Sequence, residues 1–119
     1  MYVDLWASWC RPCLAAMPAS KRLQQEFSGQ PVSFLYLSLD ENAEQWRRAA
    51  LKEGMQAEGV LSFLLLQARS SSLLQALEVR SIPRYLLYDE RGRLLEAHAP
   101  GPEGPAIRSL LRQQLQGLE

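Results

Sequence analysis

Apolar and polar positions divide this chain into short stretches of strand-like and helix-like period. Tyr2-Val3-Asp4-Leu5-Trp6-Ala7 is rich in β-branched and aromatic residues and ends at Ser8-Trp9-Cys10, which predicts a strand running into a turn. From Arg11 to Phe27 the apolar residues Leu14, Met17, Leu23 and Phe27 recur at helical spacing, and Gly29 with Pro31 supplies the stop. Pro18 lies inside this helix and is expected to kink it, because proline lacks the N–H and its ring crowds the preceding turn. Val32 to Leu39 is apolar at nearly every position, the pattern of a mid-sheet strand covered on both faces.

Asp40 is expected to cap a second helix reaching about Gly54, with Ala43, Trp46 and Ala50 on one face and Trp46 as a core anchor. Leu61 to Leu66 predicts a third strand, and Ser70-Ser71-Ser72 the cap of a short helix through Glu78; the link from Gln56 to Val60 carries no readable pattern. Arg84 to Tyr88 and Arg93 to His98, joined by Asp89-Glu90-Arg91-Gly92, read as a hairpin. Past Pro100 and Pro102, a last helix starts at Pro105 and turns Ile107, Leu110, Leu111 and Leu115 inward. This order calls for an α/β fold, a sheet of about five strands with helices on both faces.

Composition narrows the class. The 119 residues suit one domain spanning the whole chain, and 47% apolar with 22% charged residues is a globular balance. Thirteen basic and thirteen acidic side chains cancel, so no overall field draws the chain to nucleic acid or an anionic membrane, and Arg47-Arg48 reads as a solvated helix face. Phe63 to Leu66 is the longest dense apolar stretch, far short of the ~18 residues that span a bilayer. Met1 leads straight into a strand-like segment, with no secretion signal pattern.

Two cysteines are too few for a disulfide framework, and with one distant histidine, His98, they are too few for a structural zinc site. Their role is therefore expected to be chemical. Cys10-Arg11-Pro12-Cys13 follows a strand and opens a helix, where unpaired amides favour a thiolate at Cys10 and Arg11 adds positive charge. Cys13, one turn deeper, can resolve a mixed disulfide formed at Cys10, while Pro12 suits the first helical turn. Asp4 has two readings: a carboxyl raised by apolar surroundings that trades protons with Cys13, or a solvated acid at the sheet edge. Pro83 by itself is ambiguous, since X-Pro bonds are usually trans.

Asp4-Leu5-Trp6-Ala7-Ser8-Trp9-Cys10-Arg11-Pro12-Cys13, then Pro18, then Ile82-Pro83 resembles the thioredoxin superfamily in order and spacing. The WCxPC form and the Pro83 to Gly92 stretch resemble its TlpA/ResA-like branch. The resemblance implies a thioredoxin-like fold with a central mixed sheet. It implies Cys10 as nucleophile, Cys13 as resolving thiol, Pro83 as a cis-proline facing the pair and Asp4 as the buried acid. Trp9, Arg11, Pro12 and Ile82 would meet the substrate, Ile82 through backbone hydrogen bonds to an extended strand. The implied activity is reduction of disulfide-bearing proteins by a monomer, without a cofactor or metal, recharged by an upstream thiol donor and facing the bacterial periplasm.

Only nine residues precede Cys10, where family members usually carry further strands, so Met1 is expected to begin an excised C-terminal catalytic domain. The membrane would then enter only through an N-terminal anchor outside this chain. Three other readings use the same residues: an oxidase that forms disulfides, a Cu(I) carrier, and a redox-silent structural module. The carrier reading lacks a third ligand near the pair.

Overall fold

The computed structural model describes residues 1–57 and 59–117. Five strands form one sheet in the order β3-β2-β1-β4-β5, with β1 Tyr2–Trp6, β2 Phe34–Ser38, β3 Val60–Leu64, β4 Arg84–Tyr88 and β5 Leu94–Glu96. β1, β2 and β3 run parallel to one another, β4 pairs antiparallel with β1 and β5 antiparallel with β4, which is the mixed sheet of a thioredoxin-like fold. Among the described residues the sheet is accompanied by the α-helices α1 Arg11–Ala15, α2 Met17–Glu26, α3 Ala43–Lys52, α4 Ser72–Ala76 and, after the last strand, α5 Pro105–Gln116.

Alternation along β1 sorts the core into two faces. Tyr2 and Trp6 point to the side lined by Leu23 of α2 and Phe27 just after it, Ala50 of α3, and Ile107 and Leu111 of α5. Val3 and Leu5 point to the other side, which Leu74 of α4 covers together with Leu86 of β4. Helices thus lie on both faces, and all of β1 is buried between them. The predicted inward positions of α5 agree, with Ile107 and Leu111 buried and Leu110 and Leu115 packed beside them.

Several boundaries differ from the sequence reading. The Arg11 to Phe27 helix is two helices, broken at Ala16 rather than kinked at Pro18. The break lets Pro18 occupy the first turn of α2, where its missing N–H leaves no helical bond unmade. Asp40 does not cap α3. Asn42 does, its Oδ1 accepting from the Gln45 N–H at 3.0 Å, while Asp40 is buried and engaged elsewhere.

Cover of β2 is uneven, with Phe34, Tyr36 and Ser38 buried but Leu35 and Leu37 only half-buried. Leu61 and Phe63 of the neighbouring edge strand β3 remain exposed on the face opposite Tyr36. β5 is three residues long and exposed, shorter than the predicted Arg93 to His98 stretch: Arg93 belongs to the turn, where Asp89 accepts the Arg91 and Arg93 amides, and the Ala97 carbonyl accepts from Arg84 Nε. Ser71 caps α4 from within the predicted serine run, and Trp46 is half-buried against the Trp6 cluster.

Candidate active site

The strand-to-helix turn after β1 brings the two cysteines together. Cys10 is the N-cap of α1 with extended backbone, and its Sγ accepts the Cys13 N–H at 3.3 Å. The two are joined by a disulfide, with Cα atoms 5.3 Å apart. An amide aimed at Sγ stabilises a thiolate there once the bond is reduced, because hydrogen bonds to the charged form favour it. Cys10 is 3% exposed and Cys13 1%, so the pair sits at the floor of the site rather than on a ridge.

The turn carrying Cys10 is held from across the sheet. Asp40, just beyond β2, accepts from the Ser8 N–H through both carboxylate oxygens, at 3.2 and 3.0 Å, and from the Ser8 and Ser38 hydroxyls. These bonds supply the partners that a buried carboxylate needs. They also fix the residue two places before Cys10. Trp9, between them, is 64% exposed, and Arg11 and Pro12 face solvent beside it.

Ile82 closes the site from the other side, its carbonyl oxygen 3.7 Å from Cys10 Sγ. The Ile82–Pro83 peptide bond is cis. From Trp9 and Ile82 an open groove of about 1110 Å³ runs between the 39–45 segment and α4, floored by Leu39, Leu74 and Val79. Its rim carries an ion pair between Glu41 and Arg69 at 2.5 Å.

Asp4 is in the centre of the sheet and 5% exposed, which excludes the solvated edge reading. It shares a face of β1 with Trp6, which packs in one cluster with Cys10 and Cys13. Tyr36 and Tyr85 flank it on the adjoining strands, and Oδ1 has no hydrogen-bond partner among the described residues. Burial, with the Glu103 charge adding to it, pushes the Asp4 carboxyl up to about 7. A carboxyl that burial holds near neutrality, on the face of β1 that also carries Trp6 of the cysteine cluster, is suited to proton exchange.

The structure therefore brings Trp9, Cys10, Cys13 and Ile82 together, places Arg11 and Pro12 on the same rim, and buries Asp4 within the sheet on the Trp6 face of β1. Two residues stand where their sequence neighbours do not point. Asp40, expected as a helix cap, instead holds the Ser8 turn, and Arg84, a charged residue opening β4 directly after Pro83, is buried.

A thioredoxin-like family model matches residues 1–94. The thiol-disulfide oxidoreductase ResA of Halalkalibacterium halodurans is 24% identical over 101 residues, 85% of this chain and 54% of that protein. The chain thus spans about half the length of the ResA proteins it matches. Among solved structures, a Bacteroides vulgatus protein proposed to be a thiol-disulfide oxidoreductase superposes with a TM-score of 0.80 at 30% identity, covering 96% of this chain and 77% of that one. A thiol-disulfide oxidoreductase from Bacteroides fragilis gives 0.77 at 25% identity, covering 94% and 78%.

Proposed function

This chain belongs to the thioredoxin-like family, on its ResA/TlpA-like side, and from that premise we propose that it reduces disulfides of protein substrates through Cys10 and Cys13. The observation that carries the reading is the disulfide between these residues at the start of α1, with Cys10 Sγ beside the Ile82 carbonyl. In the reduced protein the Cys10 thiolate attacks a substrate disulfide; one substrate sulfur leaves as a thiolate and the other stays bound to Cys10. Cys13, giving its proton to Asp4, attacks Cys10 Sγ and releases the second substrate thiolate. The substrate gains two electrons and the protein ends with the Cys10–Cys13 disulfide. A thiol donor upstream reverses that change, so no cofactor or metal takes part.

Trp9, Arg11 and Pro12 form the rim that meets the substrate, and the Ile82 main chain pairs with an extended segment laid along it. Pro83 shapes that edge from the second residue. The exposed Trp9 and the apolar groove beside it support a polypeptide partner rather than a small thiol. Arg11-Pro12 and Ile82 resemble the reducing members of the superfamily, which supports the direction. The TlpA/ResA-like resemblance likewise supports action in the periplasm or cell envelope by a monomeric catalytic domain spanning residues 1–119. No helix among the described residues is long and apolar enough to cross a membrane.

Turnover with a dithiol donor and insulin tests the reading. The wild-type chain is expected to accelerate insulin reduction at least ~10-fold over donor alone, given a nucleophile with stabilised thiolate. A rate equal to the donor's would leave a redox-silent module instead.

A further inference from the structure

Arg84 opens β4 immediately after Pro83 and is 8% exposed. A guanidinium so deep needs its N–H groups paired, and every partner given by the structure is a main-chain carbonyl. Nε donates to Ala97 at 2.7 Å, Nη2 to Leu77 at 3.0 Å and Nη1 to Glu78 at 3.4 Å. No carboxylate among the described residues forms an ion pair with it. Leu77 is the C-cap of α4, and Glu78 follows with φ +53°, a left-handed conformation that turns the chain out of the helix. The chain then runs through Val79, Arg80 and Ser81 to Ile82, at Cys10, and returns through Pro83 to Arg84.

The guanidinium therefore joins the two ends of the segment that presents Ile82, and anchors both to the strand end at Ala97. We propose that Arg84 is a positioning residue: by closing the base of the 79–83 segment it fixes the Ile82 main chain where an extended protein substrate pairs beside Cys10. The proposal rests on the protein-disulfide reading. Strand pairing depends on fixed N–H and C=O positions, whereas a small disulfide needs only access to Cys10 Sγ. Arg84 should thus govern recognition of polypeptide while leaving the sulfur chemistry alone. Lysine, a single point of three donors on a flexible stem, replaces the planar fork only in part.

The test compares wild type, Arg84→Met and Arg84→Lys in the full chain. With insulin as substrate, KM is expected to rise about 10-fold in the methionine variant and about 3-fold in the lysine variant, with kcat held within 2-fold. Oxidation of the reduced proteins by the small disulfide 5,5′-dithiobis(2-nitrobenzoate) should also stay within 2-fold. Insulin and small-disulfide rates falling by one common factor, or neither moving, would overturn the assignment. Should the methionine variant not fold, the lysine variant decides.

A second arm needs no substrate. In Arg84→Lys, backbone 15N order parameters of Arg80, Ser81 and Ile82 should drop from about 0.85, the value of a rigid backbone, to about 0.6, with β1 unchanged. Order parameters that do not move would refute the clamp. If wild type ignores insulin, the protein-disulfide reading fails by itself and this second arm alone decides whether Arg84 holds the segment.

Discussion

Cys10→Ser protein is expected to reduce insulin no faster than donor alone, and Cys13→Ser protein to stop at a mixed disulfide with its substrate. The asymmetry follows from position. Cys10 caps α1, receives the Cys13 amide and lies 3.7 Å from the Ile82 carbonyl, whereas Cys13 is 1% exposed inside the first turn. A serine hydroxyl ionises far above neutral pH, so replacing the attacking sulfur removes the nucleophile altogether, a loss of about 10³-fold or more. Replacing the resolving sulfur leaves the attack intact but removes the group that releases product. Non-reducing electrophoresis of the Cys13→Ser protein after exposure to insulin reads the trapped adduct. An adduct trapped by Cys10→Ser and absent from Cys13→Ser would exchange the two roles.

Asp4 gives the second large effect, on stability rather than rate. Its carboxyl ionises near 3.8 when unfolded and at about 7 in the folded protein, burial being the main cause and the Glu103 charge the lesser. Between those values the folded state keeps a proton that the unfolded state has released, so stability falls as pH rises through that window and is level above it. A difference of about 3 pKa units corresponds to about 4 kcal/mol. Tyr36 and Tyr85, which flank Asp4, do not titrate in the window, because burial pushes both phenols up, Tyr36 to about 12. Asp4→Asn should therefore gain about 4 kcal/mol on wild type between pH 4 and pH 8, read by urea unfolding of the two proteins. Parallel stability curves would mean that Asp4 is ionised in the folded state throughout.

The parts of the site that sequence revealed are those whose information is local. Cys10, Pro12 and Cys13 sit within one turn of helix, directly after an apolar strand, and the motif carries its own geometry. The strands show themselves by composition, since Val32 to Leu39 is apolar at nearly every position and Tyr85 to Tyr88 is an apolar and aromatic run that ends at Asp89-Glu90. The neighbours of Asp4 leave it open between a buried and an edge position, and only the family resemblance makes it buried, because placing β1 between β2 and β4 depends on pairing across the chain.

Asp40 shows the limit of local reading. Asp40-Glu41-Asn42 offers two cap-forming side chains two residues apart, and only the Ser8 turn, 32 residues earlier, decides which of them turns inward. Arg84 was hidden for a different reason: its partners are carbonyls of Leu77, Glu78 and Ala97, and a carbonyl has no side-chain identity to read. Ala16 breaks the first helix because of Pro18, yet a proline says only that the helix must yield nearby, not at which residue.

Direction is the centre of the functional reading, and the reduction potential of the Cys10–Cys13 couple measures it, by thiol alkylation or Trp fluorescence across glutathione and dithiothreitol buffers. A value near about −270 mV, as in thioredoxin, is expected for a reductase that draws on an upstream thiol donor. A value near about −120 mV would make the couple a strong oxidant, and the protein a donor of disulfides rather than a remover of them.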